Sequence, residues 1–333
     1  MADLSTLDPS AYRPHALHDS ARHWPETNCY VDLFIELVGA LGFEVEAMFG
    51  FTVTQDFEGD QFSFFKVPVD DLEALYGLRV QELAIFDRLE GHVAEQLARG
   101  RVVLVEVDGY FLPDTGGVSY RVQHTKTTVG ITHLDVAARR MRYFHNGSFF
   151  ALDGADYDGI LGAPGALKSA DALFPYVEFV KLPAEDAPRI DALGVAKRLL
   201  ARHLARRPTA NPIRAYGEAL AAHLADLGTR SPDYFHIYAF NTLRQLGANF
   251  ELLASHLAWL TKHGETGLAR AEAAALEIAS SAKVMQFKLA RAMARGRYDG
   301  LDSFIAPMAA AYDIAIGDLA TRYGAPSSAR EAA

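Results

Sequence analysis

Cysteine is almost absent from this chain: Cys29 is the only one in 333 residues. An intramolecular disulfide and any multi-cysteine metal site are therefore excluded. Basic charge is also scarce. Lys and Arg number 32 against 42 Asp and Glu, a formal net charge of -10. General nucleic-acid binding needs a basic footprint, so no nucleic-acid partner is expected. No run approaches the ~18–20 uninterrupted apolar residues of a membrane span, so no membrane partner is expected either. No GxGxxG or GxxxxGK run marks a nucleotide loop. The twelve histidines lack metal-ligand spacing, and neither a resident cofactor nor a metal is expected. The opening MADLSTLDPSAYRPHALHDS lacks the basic-then-apolar order of a secretory signal. The expected location is the cytoplasm, where a lone thiol stays reduced.

What is present changes character near residue 185. Before it, VVLVEVDGYFLP (102–113), HTKTTVGIT (124–132) and RMRYFHN (140–146) read as strands, rich in β-branched and aromatic residues and bounded by turn signals. Two helices are expected among them. One is 29–41, with Val31, Phe34, Leu37, Val38 and Leu41 on one face and Gly42 as its stop; the other is roughly 80–99, ended by Gly100. After residue 185 the text is rich in Ala and Leu. Helices are expected near 186–206, 212–227, 233–262, 266–295 and 302–322, punctuated by Pro and Gly. The expected organisation is an α+β domain over 1–184, an all-helical domain over 185–325 and a frayed tail over 326–333.

Cys29 follows Thr27 and Asn28, either of which can cap the helix behind it. A cysteine in a first turn meets the positive end of the helix dipole and unpaired backbone N–H groups, which favour the thiolate and can stabilise an oxyanion. A lone cysteine is more often a small buried hydrophobe. A nucleophile needs a base, and the base an orienting group. His124 opens one strand and Asn146 closes the next. If the two strands form a hairpin, the start of one lies beside the end of the other. Asn146 would then hold the imidazole in its useful tautomer, as the third member of a triad does. Asp135 is a rival orienter at the far turn, and His145 reads as a strand histidine without chemistry.

The runs ETNCYVDLFIELVGALG, DFEGDQFSFFK and VEVDGYFLPDTGG with YRVQHTKTT resemble a bacterial family known as domain of unknown function eighteen-thirty-nine. YAFNTLRQLGANFELLASHLAWL and AKVMQFKLARA resemble the same family, so the likeness spans roughly residues 20–295. More distantly, the order of cysteine on a helix, histidine on a strand and Asn or Asp after the next strand is similar to papain-like cysteine enzymes. Among these it looks closest to the N-terminal domain of butirosin-pathway acyltransferases. The resemblance implies a papain-like N-terminal domain with a triad of Cys29, His124 and Asn146. It departs from that pattern where a Gln often precedes the cysteine by six residues to complete the oxyanion hole; His23 stands there. Asn28, Gln61 or a backbone N–H are the candidate substitutes.

Other polar residues are candidate substrate contacts. Asp60 and Gln61 lie in the acidic run DFEGDQ, which also reads as a plain turn between strands. Asp108 breaks an apolar strand end, where functional residues gather, with Tyr110 close by. Arg244, Lys283 and Lys288 sit within apolar helices, and cations are rarely buried unpaired. They are expected to face a polar cavity, to find acidic partners, or to snorkel to solvent. The basic helix KRLLARHLARR (197–207) is either a solvated face or a dock for an acidic partner. Three functions compete. The first is transfer of an acyl or aminoacyl group from the phosphopantetheine arm of a carrier protein, through a thioester on Cys29, to a small-molecule or peptide amine. The arm would come with that partner. The second is a cysteine peptidase or amidase with the same triad. The third is a non-catalytic binding protein.

Overall fold

The computed structural model describes residues 4–162, 174–184 and 186–324; the tail expected at 326–333 lies outside them. The described residues fall into two compact units. The first gathers Met1–Asp19, Asn28–Val45 and Val69–Arg189, and the second Ser20–Thr27, Glu46–Pro68 and Ile190–Ala333. The α+β character followed by a helical C-terminal region agrees with the sequence reading.

The first unit is built on six antiparallel strands: β1 (Arg79–Glu82), β2 (Val102–Asp108), β3 (Lys126–Asp135), β4 (Arg140–His145), β5 (Ser148–Asp153) and β6 (Val177–Lys181). Their order across the sheet is β1-β6-β2-β3-β4-β5. Helix α1 (Cys29–Ala40) packs on one face, with Leu33 over Gly130 of β3. Helix α2 (Val69–Tyr76) precedes β1. Helices α3 (Leu89–Ala98) and α4 (Gly154–Leu161) cover the other face, where Val93 and Tyr157 join Val103, Val105, Val129, Ile131, Met141 and Tyr143 in one core. The two faces follow from the period of two along each strand: Val103, Val105 and Val107 point to α3, while Leu104, Glu106 and Asp108 point to the α1 side.

Two expectations change. The segment read as a helix over 80–99 is helical only from Leu89. Arg79–Glu82 instead pairs with Glu178–Lys181 of β6, so tertiary pairing overrides the helix-forming Arg, Gln and Glu of that segment. Helix α1 is not amphipathic in its setting. Every residue from Tyr30 to Val38 is buried, including Asp32 and Glu36. Its Leu, Ile, Phe and Val side chains each contribute roughly 1.5–3 kcal/mol by leaving water.

The second unit carries α5 (Ala192–Ala205), α6 (Pro212–Leu227), α7 (Tyr234–Ala239), α8 (Gln245–Lys262), α9 (Ala269–Arg295) and α10 (Ile305–Tyr323), with a π-helical turn, Phe240–Arg244, joining α7 to α8. Segments 20–27 and 46–68 belong with these helices for identifiable reasons. Glu251 of α8 accepts the backbone N–H groups of His23 and Trp24 at 3.0 and 2.8 Å. The Trp24 indole donates to the carbonyl of Ala279 at 3.0 Å. Asn249 donates to the Thr52 carbonyl at 2.9 Å, and His256 Nδ1 to the Glu46 carbonyl at 2.7 Å. Among the described residues one segment, Asp302–Tyr323, is long and apolar enough to cross a membrane by length and composition, with mean hydropathy 1.2. It buries Met308, Tyr312, Ala315 and Leu319, and its Asp313 pairs with Arg214 of α6.

Candidate active site

Asn28 caps α1 in extended conformation, its Oδ1 accepting the N–H of Val31 at 3.0 Å. Cys29 is thus the first residue of the helix. Its side chain is partly exposed. The sulfur stands 3.9 Å from the hydroxyl of Thr128 on β3. Asn28 itself is buried, its oxygen committed to the cap.

His124 lies just before β3 and is 72% exposed in its side chain. Its Nδ1 is 2.6 Å from Asp108 Oδ2, at the end of β2. The other Asp108 oxygen accepts the N–H groups of Tyr110 at 3.0 Å and Thr125 at 3.3 Å. The Tyr110 ring stacks on the imidazole, centroids 4.7 Å apart and planes 18° from parallel. The register explains the pairing: Asp108 stands opposite Lys126, so the residue two places before β3 comes back to the strand end of β2. Lys126 pairs with Glu106 at 2.7 Å on the same face.

Asn146 has a different place from the one expected beside His124. It is the first residue of the two-residue turn between His145 and Ser148, with φ of 45°. Asn-Gly is the preferred pair for such a hairpin turn. Gly130 faces Phe144 across β3 and β4, so continuing that register puts Thr128, not His124, opposite Asn146. The group at the ring nitrogen of His124 is Asp108, which its place in the sequence marks only as a candidate substrate contact. Cys29 reaches β3 at Thr128 and His124 reaches β2 at Asp108, and no hydrogen bond joins the two.

His145 is a buried hub. Its Nδ1 lies 2.5 Å from Asp114 Oδ2 and its Nε2 2.8 Å from the Thr127 hydroxyl, while Tyr143 donates to the other Asp114 oxygen at 2.5 Å. It ties the loop after Asp108 to β3 and β4. His18, from the N-terminal segment, contacts Asp32 and Glu36 of α1. Its only sequence signal was two acidic residues inside an apolar helix.

The remaining candidates belong to the second unit. Asp60 and Gln61 are exposed, in a turn closed by the bridge of Phe57 with Phe62. Arg244, on the π-helical turn, bonds the Glu26 carboxylate at 3.0 Å and the Glu26 carbonyl at 3.2 Å. Lys283 lies 4.2 Å from the centre of the Trp24 ring, with its pKa lowered by burial and by Arg244. Lys288 lies 4.5 Å from the centre of the Phe304 ring. Lys197, in the basic helix, pairs with Glu265 at 2.5 Å. Each of these cations therefore has a structural partner.

No curated protein matches the chain. Residues 13–182 match the DUF1839 N-terminal domain and residues 191–321 the DUF1839 C-terminal domain. Those two matches cover most of the chain, which belongs to the DUF1839 family.

Proposed function

We propose that the first unit is a papain-like thiol enzyme that transfers an acyl or aminoacyl group from the phosphopantetheine thioester of a carrier protein to an amine. The observation that carries the reading is Cys29 as the first residue of a capped helix, its sulfur against Thr128 of β3, the strand that the Asp108-bound His124 just precedes. Helix on antiparallel sheet, with the histidine entering a strand, is the layout papain-like enzymes use.

In this mechanism Asp108 takes the orienting part expected of Asn146. It holds Nδ1–H and leaves Nε2 free as the base. The imidazole takes the proton of Cys29, and the sulfur attacks the carbonyl carbon of the bound thioester. The C–S bond to phosphopantetheine breaks, and the leaving thiolate takes the proton back from the imidazolium. The acyl group now sits on Cys29, at little cost because one thioester replaces another. The amine then attacks, His124 removes its proton, and the Cys29 thiolate leaves. Backbone N–H groups at the start of α1 stabilise each oxyanion. Bringing His124 to the sulfur falls to the substrate-bound state, since catalytic hydrogen bonds are often long in free enzymes.

The exposure of His124 favours a second reading. A base open to water would hydrolyse an acyl-enzyme, as a cysteine amidase does. Turnover separates the two. Aminoacyl-loaded carrier protein is mixed with the enzyme, and the released carrier thiol is followed with and without a panel of amines. Transfer gives an amide product and amine-dependent release. Amine-independent release with free amino acid supports the hydrolase. No release, with Cys29→Ala indistinguishable from wild type, contradicts both.

A further inference from the structure

Beyond Cys29 on α1 stand two carboxylates that water does not reach. Asp32 and Glu36 follow Cys29 by three and seven residues, which places all three on one helix face, and both carboxylates are buried. His18 lies between them with a side chain only 4% exposed; its Nδ1 is 2.5 Å from Glu36 Oε1 and its Nε2 3.4 Å from Asp32 Oδ1. Glu36 also accepts the Tyr12 hydroxyl at 2.5 Å and the His15 backbone N–H at 2.9 Å. From the β4–β5 hairpin the ring is faced by Gly147, where an added Cβ would lie 2.8 Å from the imidazole Cγ. The imidazole is thus fixed by the helix, the N-terminal segment and the hairpin turn. The titratable groups around it are Asp32 and Glu36 of α1, with Tyr12 and His15 of the N-terminal segment against Glu36.

Buried charge is costly unless compensated, and a negative charge one helical turn from a thiol opposes its ionisation. Burial alone would lower the pKa of His18, but its hydrogen bonds to Asp32 and Glu36 and their charges raise it to about 9. The ring is therefore an imidazolium at neutral pH. It is the basic group set between the two carboxylates.

We propose that His18 is a positioning residue of the thiol site: it cancels the carboxylate one turn from Cys29, so that the thiolate favoured by the helix N-terminus is not opposed. This rests on the reading of Cys29 as a nucleophile, but it is tested without any acyl donor. The thiol pKa is read from the pH dependence of the iodoacetamide alkylation rate of Cys29 in the full chain, with folding followed by circular dichroism. His18→Gln is expected to move the midpoint of that alkylation profile to higher pH by about one unit. Asp32→Asn is expected to lower it, and His18→Gln with Asp32→Asn to return it to the wild-type value. A merely structural role would not restore the thiol pKa in the double variant. If His18→Gln does not fold, the Asp32→Asn variant and the double variant carry the test. A folded His18→Gln with the wild-type profile, an Asp32→Asn without a fall, or a thiol pKa that moves only with His124→Gln overturns the proposal. Failure of acyl transfer with a normal His18 effect would instead remove the enzymatic reading and leave this one standing.

Discussion

His124 Nδ1 lies 2.6 Å from Asp108 Oδ2, although sixteen residues separate them in the chain. The contact fixes which nitrogen of the ring carries the proton toward the sheet and which faces out. Asp108→Asn keeps the size of the side chain but lets the ring take the wrong tautomer. It is expected to lower kcat/KM by roughly 10²–10⁴-fold with little change in fold, measured as carrier-thiol release.

Asn146 gives the opposite expectation. Its φ of 45° is left-handed backbone that Gly adopts freely and Ala resists. Asn146→Gly is expected to keep both stability and turnover, while Asn146→Ala loses about 1 kcal/mol of stability and keeps turnover. Urea unfolding and thiol release on the same two variants check this. A large loss of turnover in Asn146→Gly would return the orienting role to Asn146.

Much of this arrangement was legible and some was not. The helices after residue 185 announce themselves by length and by Pro and Gly stops, and Asn28 is readable as a cap. The Asn-Gly pair at 146–147 is a plain hairpin signal, masked by the fitness of the same asparagine for a triad. The pairing of Asp108 with His124 depends on the register of β2 against β3, which no local pattern encodes. Strand β1 was hidden by helix-forming residues, and β5 and β6 were not recognised at all. The attachment of Trp24 to α8 and α9 is a long-range packing event, invisible in spacing.

Two histidines bend the pH dependence of stability in opposite directions. His18 has a folded pKa of about 9, raised above the unfolded value near 6.5. Its contribution, on the order of 3 kcal/mol, is complete below pH 6.5 and is lost as pH rises through about 9. His256 is fully buried and lowered to about 4 by burial, against the hydrogen bond to Glu46. Its contribution is complete above pH 6.5 and is lost as pH falls toward 4. Urea unfolding from pH 4 to 10 is therefore expected to show an optimum near pH 6.5. His18→Gln should flatten the alkaline limb alone.

Trp24 anchors segment 20–27 within the helical unit. Its indole lies so close to Gly247 that an added Cβ would sit 2.4 Å from the ring. Gly247→Ala is expected to cost about 1–3 kcal/mol by overpacking, and Trp24→Ala about 3–5 kcal/mol by leaving a cavity. Denaturant midpoints of the two variants measure both.

The central claim is that Cys29 carries the acyl group. Intact mass of the protein after mixing with acyl- and aminoacyl-loaded carrier proteins tests it most directly, beside Cys29→Ala. The account expects a mass gain equal to the acyl group on the wild-type chain, removed by hydroxylamine and absent from the variant. No adduct with any donor, together with alkylation of Cys29 no faster than that of a free thiol at neutral pH, would contradict it.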